Sequence, residues 1–560
     1  MTIQLRVKNR ARRPAARTWK QGNLPATLAL LTAGVVALAG VASAPAAAQD
    51  TGAAITVETQ ITPEVGVAEL RVKGEEIHLT LEEAVGLALS RNLNLRTQRY
   101  SREQARLGIM EATGIYDFNL LAAIETSKVE NPAASNLDGA DVQNQKRSLL
   151  TVGGSQLFPT GGVIGVSIPN GRFETNSQFS LLNPSFDSGL DLSYTQPLLR
   201  GFGRGATEYG IEVAKVSSDI SQQQFVFEVI STIQNVENSY WNLVAARYAL
   251  TVAEESLKLA EELHSNNKVR VDVGTLAPLE LVQSEAQIAT RQEAIIRARG
   301  VVGDAEDLLF FFLNIDQGEA WSKTIVPDTE AVIEHPAVDL DQSIQTALST
   351  RPELLSQQLR VQSATLDQSF LAQDTKPRLD LKATYGLSGL GGDVVIRNPD
   401  GSVALTIPGG WSDAFEQVTG FDFPGWSVGL ELGIPIQNRS ARARKLMADL
   451  ALEASKDTAK QLELRVTTEV RAAVRGLETS REQLESAKVS TRLAEKNLDA
   501  ERKKYDNGLS TAYQILQVQD DLTAARYRQV AAVTGYRKSI VEYNRATGSL
   551  LASSNVSIAE

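Results

Sequence analysis

The sequence predicts a mixed α and β chain made of two internally repeated halves, each a set of alternating strands running into a long helical hairpin. The first observation is a heptad seam from Val236 to Val271, with Val236, Ser239, Leu243, Ala246, Leu250, Ala253, Leu257 and Ala260 in its core positions. Large and small side chains alternate along it, so a partner helix packs closely. The second is a copy of that seam at Val470, Ala473, Leu477, Ser480, Leu484, Ala487, Thr491, Ala494, Leu498 and Tyr505. The offset is constant: Leu259-Ala260-Glu261 lies opposite Leu493-Ala494-Glu495, and Gly274 opposite Gly508. Each seam stops at its glycine and a second helical run follows, through Leu281, Ile288, Ile295, Val302 and Leu309 in one half and Ile515, Leu522, Gln529, Tyr536 and Tyr543 in the other. Two antiparallel hairpins turning at glycine result. The third is a change of period before each long helix, from helical to two.

The N-terminus reads as a targeting signal over 1–48. Arg6, Lys8, Arg10, Arg12, Arg13, Arg17 and Lys20 precede an apolar run from Leu24 to Val41, and small residues end at Ala48. Cleavage after Ala48 leaves 49 basic against 67 acidic residues, a net charge of −18. A body this acidic argues against nucleic acid as a partner. There are no cysteines, hence no disulfide framework and no thiol chemistry. His78, His264 and His335 lie far apart, and no metal-ligand cluster stands out. No stretch after the signal is long and apolar enough for a spanning helix, so entry into a membrane requires strands.

Residues 49–78 show no clear period and read as a loose extension. The first half is expected over 79–320. Thr80 caps an opening helix, with Glu82 and Glu83 in its first turn; strands occupy 116–198 and a hairpin 206–313. The second half, 321–550, repeats this with a helix over 340–374, strands over 377–436 and a hairpin over 441–547. The opening helices match at one offset, Leu81, Ala88, Leu89, Ser90 and Leu95 against Leu340, Ala347, Leu348, Ser349 and Leu354. They are placed to stack on the shorter hairpin arms. In the strands, Leu379, Leu381, Ala383 and Tyr385 alternate with Asp380, Lys382 and Thr384, and Val428, Leu430 and Leu432 with Gly429, Glu431 and Gly433. Phe118, Leu120, Ala122 and Ile124 share one face, as do Leu190, Leu192 and Tyr194. The apolar face is the core of a soluble sandwich or the lipid face of a membrane barrel. Tyr116, Tyr194, Tyr385, Trp411 and Trp426 near strand ends, with the signal peptide, favour the barrel. An extra hairpin, Arg147–Phe158 and Val163–Ile168, brings the expected count to six strands per chain. Polar stretches at 131–145 and 170–188 read as loops, Gly386–Pro424 as a mobile extracellular loop, and 551–560 as a disordered tail. Gly201-Phe202-Gly203-Arg204-Gly205 reads as a strand-to-helix turn needing close backbone approach, not a phosphate loop.

This order, met twice, resembles the TolC-like family of outer-membrane exit ducts, over roughly Leu79 to Leu550. The residues that carry the resemblance are Leu81-Glu82-Glu83-Ala84 with Ala88-Leu89 and Asn92, the tip Tyr505-Asp506-Asn507-Gly508-Leu509, and the strand ends Tyr194-Thr195-Gln196-Pro197-Leu198-Leu199 and Gly433-Ile434-Pro435-Ile436. The resemblance implies a homotrimer whose strands share one outer-membrane barrel, continuous with a hollow periplasmic barrel of coiled-coil helices. It implies contact with outer-membrane lipid, a periplasmic adaptor (membrane fusion) protein and an inner-membrane pump, proton-driven or ABC-type. It implies no cofactor and no catalysis. The expected function is passive conduction to the exterior, in efflux or in type I secretion. The rival is a barrel-anchored coiled-coil surface or structural protein, which would gather its strands at one end of the sequence instead of splitting them between halves.

The same resemblance supplies site residues. The turns Val273-Gly274-Thr275-Leu276 and Asn507-Gly508-Leu509-Ser510 face the adaptor, with Leu276 and Leu509 as exposed apolar anchors. Glu280 matches an acidic position ringing the periplasmic entrance, and its second-half counterparts are the uncharged Gln514 and Gln517. Tyr505 matches a tyrosine that ties neighbouring hairpins. Ser510 stands where the family has arginine, so a weaker closing network is expected.

Overall fold

The computed structural model describes residues 71–132, 140–315, 318–329, 338–398 and 402–558. The expected signal peptide lies outside them, as does most of the expected extension. In chain order the first half contains β1 (Arg71–Lys73), β2 (Glu76–Leu79), α1 (Leu81–Arg91), α2 (Leu93–Thr113), β3 (Asn119–Pro132), β4 (Val142–Leu157), β5 (Val163–Thr175), β6 (Leu182–Pro197), α3 (Tyr209–Asp272) and α4 (Leu279–Leu313). The second contains β7 (Thr324–Pro327), α5 (Leu340–Thr350), α6 (Pro352–Gln373), β8 (Arg378–Arg397), β9 (Val403–Ile407), α7 (Trp411–Thr419), β10 (Pro424–Gly433), α8 (Arg439–Asp506), α9 (Ala512–Thr547) and α10 (Leu550–Ser553).

Thr80 caps α1 in a reciprocal box: its hydroxyl accepts from the Glu83 N–H at 3.2 Å, and the Glu83 carboxylate accepts from the Thr80 N–H at 2.8 Å. Neither opening helix is continuous. Asn92 breaks the first, its side chain capping α2 while its amide donates to the Phe312 carbonyl at 3.3 Å. Thus α2 continues the line of the short arm α4. The helix expected over 340–374 also divides, because Pro352 holds Arg351 in an extended conformation (ψ 124°). There the Thr350 hydroxyl donates to the Thr547 carbonyl at 3.3 Å, so α6 meets the end of the short arm α9.

A small sheet, β1-β2-β7, joins the starts of the two halves, with β2 and β7 parallel and Ile77 opposite Ile325. It corrects the loose extension over 71–78. Runs of three and four residues are too short to show a period. Ile77 and Ile325 enter the main core with Phe225, Val229, Tyr240 and Leu243 of α3. The Tyr240 hydroxyl donates to the Leu79 carbonyl and accepts from the Thr329 N–H, both at 3.1 Å.

The large sheet runs β10-β8-β6-β5-β4-β3, all antiparallel, with β9 on β8. The extra hairpin therefore joins the sheet as β4 and β5, giving six strands in one path. Register sorts the side chains. Ile124/Leu150, Val152/Ile168, Val166/Leu192, Tyr385/Trp426 and Leu381/Leu430 pair on one face. Asp191, Ser193, Thr384, Lys382, Asp380 and Glu431 lie on the other, where Arg378 reaches Asp380 at 2.6 Å and Lys382 pairs with Glu431. The β4–β5 turn docks on the strand-to-helix turn as the glycines required: the Gly203 N–H donates to the Thr160 carbonyl at 3.0 Å, and a Cβ on Gly161 would lie 2.4 Å from the Gly201 carbonyl oxygen.

The strands outrun the expected loops. β5 reaches Thr175 and β6 starts at Leu182, so much of 170–188 is paired, as is part of 131–145. Likewise Gly386–Pro424 is not a bare loop: it holds the last residues of β8, then β9 and α7. The expected tail is corrected too. α10 covers Leu550–Ser553, Val556 is in the core, and the Ser554 hydroxyl donates to the buried Glu237 at 3.0 Å. The apolar Leu551, Val556 and Ile558 explain why it packs.

The four long helices lie in the order α4-α3-α9-α8, with α6 packed against α3 and α8. The α3/α9 contact is close, as the alanine seam requires. Ser256 and Thr523 hydroxyls meet at 3.1 Å, and the Gln519 amide donates to the Leu259 carbonyl at 3.3 Å.

Candidate functional site

At 1.5 Å per residue, α3 and α8 each carry the chain roughly 100 Å from the sheet. The hairpin tips are therefore at the opposite end from the strands. Both tips use one device. Gly274 (φ 76°) and Gly508 (φ 73°) take the left-handed conformation that ends a helix. The next N–H then reaches back five residues, Thr275 to Arg270 and Leu509 to Lys504, each at 2.8 Å. Pro278 precedes α4, and Thr511 caps α9 by accepting from the Gln514 N–H.

The tips differ in what they expose. Leu509 is 78 % exposed, and Val273 stands out on the other tip. Leu276 does not: the first turn is one residue longer, and Leu276 sits half-buried in it. The exposed apolar partners are instead Leu279 and Val282 beside one turn and Tyr513 beside the other. Sequence reading passed over these three because each fits a helical period.

The two hairpins are tied together just above their tips. Tyr505 is only 3 % exposed, and its hydroxyl donates to Oδ1 of the buried Asn267 at 2.5 Å. Arg270 lies over the Tyr505 ring at 4.3 Å, donates to the Tyr505 carbonyl at 3.0 Å and pairs with Asp506 at 3.1 Å. Burial pushes the Tyr505 phenol above its usual value; Arg270 opposes this, while Glu280 and Asp506 add to it. The phenol therefore stays protonated and remains a donor. Neither Arg270 nor Asn267 was found from sequence. They lie more than 230 residues from Tyr505, and only the register between the seams brings them together.

Glu280 sits half-buried in the first turn of α4 beside Tyr505, with Oε2 out of contact with water. Gln514 and Gln517 are exposed on α9. Ser510, in the position expected for arginine, donates to Glu501, which also pairs with Lys504 at 2.9 Å. The Ser510 hydrogen bond, then Lys504, holds the Glu501 carboxyl below its usual value. Among the described residues, no group of three metal-ligating side chains occurs, and no helix is long and apolar enough to cross a membrane.

A sheet with one apolar and one charged face, feeding helices of this length, defines an outer-membrane channel with a large periplasmic helical part. A family model described as outer membrane efflux protein matches residues 177–314 and 343–549, in both halves and over more than half of the chain. The chain belongs to this family, and it is an outer-membrane exit duct. Comparison with curated protein sequences finds no match. Among solved structures, the outer-membrane channel OprN is similar at TM-score 0.60 and 17 % identity, over 84 % of this chain and 89 % of that one. The CmeC outer membrane channel of Campylobacter jejuni is similar at 0.60 and 17 %, over 86 % and 87 %. The open MtrE outer membrane channel of Neisseria gonorrhoeae is similar at 0.55 and 18 %, over 84 % and 89 %. These likenesses bear out the resemblance to TolC-like ducts and the repeated mixed fold. They give no support to a coiled-coil surface protein.

Proposed function

We propose that the duct works as a homotrimer whose hairpin tips receive a periplasmic adaptor attached to an inner-membrane pump, proton-driven or ABC-type. The observation that carries this reading is a pair of unsatisfied edges in each layer of one chain. β3 and β10 end the sheet with open hydrogen-bonding edges, and closure with neighbouring copies removes such edges. The two strands run in opposite directions, so β10 of one copy fits β3 of the next. The helical layer matches. α4 bares Ile296, Val301 and Phe311, and α8 bares Leu446, Leu450 and Leu464. Each outer helix needs a partner for its apolar stripe.

The adaptor reading rests on Leu509, Tyr513, Val273 and Leu279, exposed apolar side chains at the far end of the helices. Val273, Gly274, Thr275 and Leu276 would form one contact turn, Asn507, Gly508, Leu509 and Ser510 the other. Leu509→Asp should abolish export in cells, because it puts a charge at the centre of a desolvated contact, while trimer assembly and outer-membrane insertion persist. Undiminished export by this variant refutes the contact.

The entrance reading gives Tyr505 the tie between hairpins and Glu280 a ring of like charges near the threefold axis, attracting cations. Gln514 and Gln517 are its neutral counterparts. Glu280→Gln should lower cation selectivity in single-channel recordings. Unchanged selectivity leaves Glu280 as a first-turn carboxylate stabilised by the helix dipole.

A further inference from the structure

We propose that α7 is an interfacial lipid anchor, seated on the outside of the barrel where the acyl chains of the outer leaflet meet their head groups. The proposal rests on the reading of the sheet's apolar face as the lipid face. Register fixes which face α7 covers. β8 pairs with β6 without a shift from Asp380 to Gly392, so Leu381, Ala383, Tyr385, Leu387, Gly389 and Gly391 share one side. On that side a Cβ at Gly389 would lie 1.9 Å from the Ala414 carbonyl oxygen, and one at Gly391 2.2 Å from that of Gly410. The helix therefore rests directly on bare backbone of the lipid-facing side. Ala414 and Val418 are buried on the helix, and Leu387 is buried on the same side of the strand. Gln417 completes the seat. Its amide oxygen accepts from the Leu390 N–H and its NH₂ donates to the Leu390 carbonyl, both at 3.0 Å, where β10 has ended at Pro424 opposite Leu387.

Depth follows from strand geometry. The eight steps from Leu379 to Leu387, at about 3.4 Å each and tilted about 40°, climb about 21 Å. That nearly spans the apolar band of about 25 Å typical of outer-membrane barrels. Gly389 and Gly391, and α7 upon them, then fall at the upper boundary of that band. The exposed apolar surface continues there: above Trp426, 77 % exposed, come Phe423, Phe421 and Phe415, all exposed. At about 100° per residue, Trp411 and Phe415 lie on one flank of α7, and Asp413 and Glu416 on the other. Phe421 has φ 59°, a left-handed conformation normally left to glycine or asparagine. An aromatic side chain held there and turned out of the protein gains its contacts from outside. A lipid interface supplies them to a short amphipathic helix with an aromatic flank.

Because the chain has no cysteine, single cysteines place nitroxide labels without background. The mature protein, reconstituted in phosphatidylcholine vesicles, is labelled at Phe415→Cys, Phe421→Cys, Ser412→Cys and Leu430→Cys. Collision rates are measured with oxygen, which partitions into lipid, and with a water-soluble nickel chelate. Leu430 reports whether the barrel itself is inserted. The expected result is oxygen-dominated relaxation at Leu430, and the same preference, several-fold weaker, at Phe415 and Phe421, with Ser412 nickel-dominated. Nickel-dominated relaxation at both phenylalanine sites, or low access to both reagents there, overturns the anchor while Leu430 stays oxygen-dominated. Nickel-dominated relaxation at Leu430 overturns the lipid-face reading instead, and the anchor with it.

Discussion

Arg270→Glu should break the tie between the two hairpins and, on the entrance reading proposed above, widen the periplasmic entrance. The wild-type guanidinium serves three acceptors at once: the Tyr505 carbonyl, the Asp506 carboxylate and the Tyr505 ring. The Asp506 side chain is more than half exposed, so that pair is worth at most about 1 kcal/mol. The charged hydrogen bond and the ring contact bring the total to about 3 kcal/mol, on the order of a hundredfold in the closed-to-open ratio. Glutamate adds repulsion from Asp506 and Glu280. Conductance of the purified channel in planar bilayers should rise several-fold. Tyr505→Phe, which loses only the bond to Asn267, should give a smaller rise. Unchanged conductance in Arg270→Glu would show that the hairpins are held elsewhere. The pH dependence at the tips follows from Tyr505 in the tie and from Glu501 within the second hairpin. Tyr505 is raised, so its contribution is complete below the ordinary phenol value of about 10 and is lost as pH climbs through the folded value. Glu501 is depressed, so its contribution is present above about 4.3 and lost as pH falls through the folded value. The tie should loosen above the upper limit, and the Gly508 turn, which Glu501 braces through Ser510, below the lower one.

Arg351→Ala should be strongly destabilising, by about 3–5 kcal/mol. Arg351 is 4 % exposed and donates to both Glu353 and Glu469 at 2.7 Å. Burial alone would lower its pKa, but the two carboxylates outweigh burial and hold it above its ordinary value. The residue is the hinge between α5 and α6, beside the end of α9, where a Cβ on Gly548 would come within 2.4 Å of the Thr350 hydroxyl. Alanine leaves Glu469 with only the longer contact to Arg545, 3.7 Å. The apparent melting midpoint in detergent should fall by several degrees, and Arg351→Lys should recover little, because an ammonium lacks the planar fork that serves two carboxylates. A midpoint within one degree of wild type for Arg351→Ala would contradict this role.

The parts of the fold that were legible are those with long periods. Heptads sustained along helices of 64 and 68 residues define those helices, and two seams with one offset reveal the repeat from residue order alone. Gly274 and Gly508 marked the tips because a left-handed residue must end each run. What escaped has physical reasons. β5 and β6 continue past the apolar band, through Asn170, Arg172 and Ser185, where alternation fades and the segment reads as a loop. Strands as short as β2 and β7 carry no period at all. Asn92 stands in the opening motif, yet its role as a break depends on Phe312, which the sequence does not place beside it. α7 was hidden in a loop rich in glycine, although Gly389 and Gly391 are what let it lie flat on the sheet. The tie at the tips was half legible: Tyr505 came from the resemblance, but Asn267 and Arg270 belong to the other hairpin.

The central claim is that three chains, each giving six strands in one path, close a single barrel over a shared helical tunnel. Native mass spectrometry of the mature protein released from mild detergent measures this directly. The account predicts one particle of three chains that survives dilution, because closure with neighbouring copies satisfies the free edges of both layers. A particle of one chain, stable in detergent, would contradict it.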